Sequence, residues 1–321
     1  MTLHSIIELF KIEKTPRRGL LAVEWVVLGY MLLTSLLIMF GYTKLSDPQA
    51  MLWGRLQIVF ITASLIAVYR LLPCTFTHFC RSVSQLFICE WWYTDTYALN
   101  QLFPNLDPLF AGLEQQLFGC QPALLFSQQF TSPVFSELMH LGYSSYYSLF
   151  FVVMLYYFFC HRSEFDRAVF ITATSFLVFY LIFDFLPVTG PQYYYLAAGV
   201  DQIAQGVFPD VGNYFATHQE ALPIPGYSDG FFYHVVQSAH AAGEHPTAAF
   251  PSSHVGMTAI LLLKLWHTRD RKLFFFILPF FLLMCLATVY IQAHYAIDVL
   301  GGWVSAAIIY VVVNFFAKKF V

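Results

Sequence analysis

Seven stretches of bilayer length dominate this chain. Near 21–41, 52–73, 139–159, 168–187, 252–267, 273–290 and 294–316 the sequence runs mainly on Leu, Phe, Val, Ile, Ala and Tyr. About 20 such residues in helical form cross a hydrocarbon core. Backbone in lipid must satisfy its own polar groups, so long apolar runs of this kind fold as helices. Of the 321 residues, 58% are hydrophobic and only 11% charged, which excludes a soluble protein and places the chain in the membrane. The run at 252–267 is short, but it follows a proline able to begin a helix. A weaker eighth stretch, 83–103, carries Glu90 and Asp95; hydropathy alone leaves it as either a span or an interfacial helix.

Charge placement decides between them. With the N-terminus inside and eight alternating spans, 14 of the 16 Lys and Arg residues fall on the inner side, and only Lys44 and Arg55 fall outside. Leaving out 83–103 reverses the sides of everything before it and spoils the pattern. The positive-inside rule therefore predicts an all-α, integral-membrane bundle of about eight spans with both termini cytoplasmic. Residues 1–19 read as a basic cytoplasmic leader followed by a retained span, since no short apolar core with a small-residue cleavage site precedes it. The six cysteines form no close pair and read as small apolar residues.

Two long segments are expected outside. Residues 104–138 contain Leu-Asp-Pro-Leu-Phe-Ala-Gly-Leu-Glu-Gln-Gln-Leu-Phe-Gly, the pattern of an amphipathic helix lying on the membrane. Residues 188–250 are rich in Gly, Pro, Tyr, Gln and His, and a loop of that length predicts a lid or a substrate-binding cap. The chain is expected to form one structural domain. Residues 1–138 supply N-terminal spans and the outer amphipathic segment, and 139–321 the catalytic core.

Two strings carry chemistry. Residues 250–256 read Phe-Pro-Ser-Ser-His-Val-Gly, and 290–298 read Tyr-Ile-Gln-Ala-His-Tyr-Ala-Ile-Asp. Ionisable groups at the edge of hydrocarbon are costly and therefore functional candidates. Four residues apart on a helix, His294 and Asp298 share a face, so the carboxylate can hold one ring nitrogen and leave the other free to attack. The same spacing also suits a pair that merely satisfies itself inside a bundle. Pro251 stands at a natural first helical position, with Ser252 and Ser253 beside the exposed N–H groups of a helix start, an anion site. His254 in that turn can protonate a leaving oxygen, or it can simply be an interfacial side chain of a capped helix. Both strings fall at outer ends of neighbouring spans, and their joint occurrence on one side favours a site. Asp184, inside an apolar run, positions His254 or a substrate hydroxyl, or more readily pairs within the bundle.

Pro-Ser-Ser-His followed by His-Tyr-Ala-Ile-Asp resembles the phosphatidic acid phosphatase type 2 superfamily of membrane lipid phosphatases and phosphotransferases. The resemblance implies a helical bundle with a six-helix core over about 140–316. It also implies His294 as the covalent nucleophile, His254 as general acid and then base, and Asp298 as the group that orients the nucleophile. The phosphatase branch has cations that this chain lacks. The place of an Arg six residues before the nucleophile is Thr288, and no Lys or Arg lies between Arg81 and Arg162 or between Arg167 and Lys264. Residues 185–194, Phe-Leu-Pro-Val-Thr-Gly-Pro-Gln-Tyr-Tyr, are similar to the branch that contains the fungal inositol phosphorylceramide synthases. So are the Leu-Phe-Gly-x-Gln-Pro stretch at 117–122 and the Tyr143, Tyr146, Tyr147 cluster. Pro191, Gln192 and Tyr193 join Ser252 and Ser253 as expected substrate-binding residues.

The missing cations carry a physical inference. A phosphate monoester near −2 normally needs an Arg or Lys clamp, whereas a phosphodiester at −1 suits helix N–H groups, hydroxyls and imidazoles. The expected activity is transfer of a phosphorylated headgroup from a phospholipid to a lipid hydroxyl through a phosphohistidine. The alternatives are a lipid phosphate or diphosphate phosphatase using water, and, further off, a non-catalytic transporter. His218, His234, His240 and His245 share the outer loop, but their spacings of 16, 6 and 5 match no recurring ligand pattern, so no metal and no other cofactor is expected. The expected partners are lipid substrates and the membrane, with no nucleic acid. The site is expected on the non-cytoplasmic face, in a bacterial inner membrane or an organelle lumen.

Overall fold

A computed structural model describes residues 7–241, 243–269 and 271–321. Among these the fold is all-helical, with no strand beyond an isolated bridge between Ile12 and Cys74. The helices are α1 (Ala22–Phe40), α2 (Pro48–Leu71), α3 (Thr75–Asn100), α4 (Asp107–Phe118), α5 (Pro122–Gln129), α6 (Pro133–Cys160) and α7 (Phe165–Phe185). They continue with α8 (Pro191–Ala198), α9 (Val200–Ala204), α10 (Phe231–Ala241), α11 (Ser253–His267), α12 (Arg271–Tyr290) and α13 (Ala296–Phe320). Proline stands at the first or second position of α2, α4, α5 and α8, where its missing N–H costs nothing.

Among the described residues, six helices are long and apolar enough to cross a membrane: α1, α2, α6, α7 with the short turn before it, α12 and α13. The two other runs expected to span are also helical. The 83–103 run is helical as far as Asn100, within α3, which is long enough to cross but more polar, and α11 is apolar but only 15 residues long.

The chain divides into two compact units. The first holds residues up to Asp95, Met154–Leu177 and Val313–Val321. Its polarity is explained by pairing. Glu24 and Arg81, both fully buried, meet at 2.6 Å, and Arg81 also donates to the Gly19 carbonyl. Arg55, which sequence placed among the few outer cations, bonds Asp95 at 2.8 Å and Thr34 at 3.0 Å. Charges in such surroundings persist only when partnered, and these two pairs tie α1, α2 and α3 together.

The second unit holds Thr96–Val153 and Val178–Val312. Its core gathers Phe110, Ala111, Tyr193, Tyr194, Tyr195, Val255, Val289 and Tyr295. The amphipathic segment forms α4, with an unexpected distribution of faces. Asp107, Phe110, Ala111 and Glu114 point inward, whereas Leu109, Leu113 and Leu117 are exposed. The acidic side chains turn in because backbone and hydroxyl donors wait there; the leucines turn outward, as lipid contact requires. Helices α11 and α13 cross at glycine. A Cβ on Gly302 would lie 2.8 Å from the Ser252 carbonyl oxygen, and one on Gly256 would lie 3.2 Å from the Gly302 carbonyl. Small residues permit that approach, and it sets the starts of the two helices side by side.

Candidate active site

The start of α11 differs by two residues from the sequence expectation. Pro251 precedes the cap, Ser252 is the N-cap, and the helix begins at Ser253. Ser252 is fully buried; its hydroxyl accepts from the Val255 N–H at 3.4 Å and its own N–H donates to the Asp298 carbonyl at 3.0 Å. Ser252 therefore locks α11 to α13 with its N–H as well as capping the helix. Ser253 and His254 are half-buried in the first turn.

His294 is not on a helix. It lies in the turn Ile291–Tyr295 between α12 and α13, and Asp298 sits in the first turn of α13. Two backbone bonds hold the turn: Gln192 N–H donates to the Gln292 carbonyl at 2.9 Å and His294 N–H to the Thr288 carbonyl at 3.0 Å. Beside it, Ala249 N–H donates to the Val188 carbonyl at 2.9 Å. Gly190, at φ +94°, is where the α8 loop meets this turn; a Cβ there would lie 2.7 Å from the Ala293 carbonyl.

The geometry assigns the tautomer of His294. Its Nδ1 lies 2.7 Å from the Ala249 carbonyl, which can only accept, so Nδ1 carries the proton and Nε2 presents a lone pair. Asp298 Oδ2 lies farther, 3.5 Å from the same nitrogen, and accepts from the Tyr295 N–H at 2.8 Å. Orientation of the imidazole thus rests first on a backbone carbonyl and second on the carboxylate. Burial holds the His294 imidazole down to about 4, against the opposing pull of the Ala249 carbonyl and Glu244, so it is neutral at ordinary pH. Across from Nε2, at 3.3 Å, stands His254 Nδ1. The His254 ring lies between Tyr143, stacked at 4.6 Å, and Tyr146 at 4.5 Å. A bare imidazole nitrogen facing a second imidazole is the equipment of nucleophilic attack with general acid–base assistance.

The expected substrate-binding residues are placed as follows. Pro191, Gln192 and Tyr193 form the first turn of α8 and are buried. Gln192 Nε2 donates to Glu244 at 3.3 Å, while Oε1 has no protein partner. Tyr193 is packed into the core, with 4% exposure. The four loop histidines part company. His218 stacks on Tyr214, His245 stacks on Tyr97, His234 contacts Tyr233, and His240 meets Glu244 at 3.2 Å.

Three groups were not foreseen from sequence. Glu244 accepts from the Tyr143 hydroxyl at 2.9 Å and gathers Gln192 and His240. Asp107 accepts from Thr189 N–H at 2.7 Å, Thr189 hydroxyl at 2.8 Å, Gly190 N–H at 2.9 Å, Tyr295 hydroxyl at 2.9 Å and Asn105 at 2.7 Å. Burial raises the Asp107 carboxyl, and those donors oppose the rise. Glu114 accepts from the Ile297 N–H at 3.1 Å, at the start of α13. Asp107 and Glu114 lie seven apart, with leucines on the opposite face; that spacing was the available signal.

An all-helical membrane chain with paired imidazoles at the meeting of two apolar helices has the parts of a phosphoryl-transfer protein. The family model of the PAP2 superfamily matches residues 109–312, well over half of the chain. The chain belongs to that superfamily, which is one of phosphatases and phosphotransferases. No curated protein and no solved structure matches it.

Proposed function

We propose that this enzyme is a lipid phosphotransferase of the kind found in the inositol phosphorylceramide synthase-like branch, with His294, His254 and Asp298 as its catalytic residues. His294 Nε2 attacks the phosphorus of a phospholipid headgroup diester. The P–O bond to the lipid breaks in line, and His254 gives its proton to the departing alkoxide. The headgroup phosphate rests on His294 until an acceptor lipid hydroxyl, deprotonated by His254, attacks and releases the imidazole. In the resting arrangement the 3.3 Å contact between the rings leaves no room for phosphorus, so the His254 ring must turn aside as substrate enters. Ser252, Ser253, Pro191, Gln192 and Tyr193 are proposed to frame the substrate.

The observation that supports a diester is the charge inventory of the second unit. Its only Lys and Arg are Lys264, Arg269, Arg271 and Lys272. Lys264 follows His254 by ten residues of α11, roughly 15 Å along the axis. Near the imidazoles stand the carboxylates Asp298 and Glu244 instead. A dianionic monoester would be repelled there; a monoanion is far less so. Water as acceptor, giving a phosphatase, is the second reading; the burial of His294 and the aromatic rings around His254 favour a lipid acceptor. We further propose eight spans, cytoplasmic termini and a non-cytoplasmic site, supported by the distribution of Lys and Arg.

The test is incubation of purified protein with a headgroup-labelled lipid phosphodiester, with and without a hydroxylated lipid. Appearance of label in the second lipid is expected. Release of free phosphate from a monoester, with no labelled second lipid, rules the transferase out in favour of the phosphatase.

A further inference from the structure

Two buried carboxylates meet the start of α13, and each has an oxygen without a protein partner. Glu114 is fully buried; Oε2 accepts from the Ile297 N–H and Oε1 is unpartnered. Asp298, the next residue along, is also fully buried; Oδ2 accepts from the Tyr295 N–H and Oδ1 is unpartnered. The second unit, which holds both, carries Lys and Arg only at Lys264, Arg269, Arg271 and Lys272. Two desolvated carboxylates in one another's field do not both stay ionised, and each has one oxygen free to carry a proton.

We propose that Glu114 is a positioning residue of the active site, carrying a proton on Oε1 that it directs to Oδ1 of Asp298. The proposal rests on His294 being the nucleophile. With the proton on Glu114, Asp298 remains the anion beside His294 Nδ1, and it can stabilise the positive charge that the ring acquires as Nε2 bonds to phosphorus. With the proton on Asp298 that stabilisation is weakened; with Glu114 ionised as well, the added negative charge repels the anionic diester. Burial, with Asp298 adding to it, pushes the Glu114 carboxyl up to about 8 against the N–H groups of Ile297, Ala296 and Ala123, the direction the arrangement requires. The other titratable groups facing this pair are Tyr195 on α8, His294 and Tyr295 in the turn, and Asp107 on α4 itself.

Glu114→Gln keeps the shape and supplies a permanent N–H donor that cannot ionise; Glu114→Leu removes the donor. Full-length protein in phospholipid nanodiscs is assayed with the labelled diester across pH. The wild-type rate is expected to fall as pH rises past about 8. Glu114→Gln is expected to keep its neutral-pH rate and lose that alkaline fall. Glu114→Leu is expected to lose between about ten- and a hundredfold in kcat with KM little changed. A Glu114→Gln profile that retains the alkaline fall, or a loss as large as that of Glu114→Leu, overturns the proposal. Infrared difference spectra supply a readout independent of turnover. The carbonyl stretch of a protonated carboxylic acid is expected in the wild-type-minus-Glu114→Gln difference spectrum; its absence there also overturns the proposal. His294→Ala separates the two layers: an active His294→Ala defeats the functional reading, whereas an inactive one with an unaltered Glu114→Gln profile defeats only the role of Glu114.

Discussion

The proposed chemistry is concentrated in two imidazoles that address each other across 3.3 Å, one nearly buried and the other held between aromatic rings. Replacement of the proposed nucleophile, His294→Ala, is expected to lower turnover by about 10⁴-fold or more and to abolish the acid-labile phosphoenzyme that the proposal requires, measured by rapid quench with labelled lipid. The pH dependence of stability has a sign set by burial. His294 is held at about 4 against an ordinary 6.5, so between those values the unfolded chain binds a proton that the folded chain refuses, and stability falls as pH falls through that window. Glu114 runs the other way. Its carboxyl is raised from 4.5 to about 8, so its stabilising contribution is present at low pH and is lost as pH rises to that value. Unfolding midpoints across pH for wild type and Glu114→Gln are expected to diverge on the alkaline side; superimposable curves would refute this. The three residues named from sequence lie together, His294 3.3 Å from His254 and 3.5 Å from Asp298, and two short strings beside helix starts were the signal that named them. The carbonyl of Ala249 was not legible, since a backbone acceptor leaves no mark in the side-chain pattern.

At the scale of elements, the site depends on how closely α11 and α13 approach. Gly302→Ala places a methyl 2.8 Å from the Ser252 carbonyl and 3.3 Å from Val255, so the helices must part. The expected cost is about 1–3 kcal/mol of stability, with a fall in kcat, read by chemical denaturation and initial rates. The long apolar helices were readable from the sequence because each carries its own signal. The orientation of α4 was not, because its polar face is turned inward by partners 82 to 188 residues away, Thr189 and Tyr295 for Asp107 and Ile297 for Glu114. The polar character of α3 similarly became intelligible only once Glu24 and Arg55 were seen beside Arg81 and Asp95.

For the whole molecule, the expected orientation makes a direct prediction. On a background with the native cysteines replaced, Ser163→Cys is expected to react with an impermeant maleimide only from the cytoplasmic side, and Gln219→Cys only from the opposite side. The reverse pattern would overturn the proposed topology, and with it the side on which substrate is met. The charge split that motivates this is a property of the entire sequence, and no single span would have revealed it.

Asp107 has a consequence for how the enzyme can be divided. It stands two residues before the family match begins, yet one carboxylate anchors Thr189, Gly190 and Tyr295. A shortened protein starting at residue 139, where the catalytic core was expected to begin, would strip the acceptor from all three donors, and autonomous folding of that fragment should fail. In any such dissection, the smallest workable piece has its upstream border set by a hydrogen-bonding hub that similarity alone would cut away.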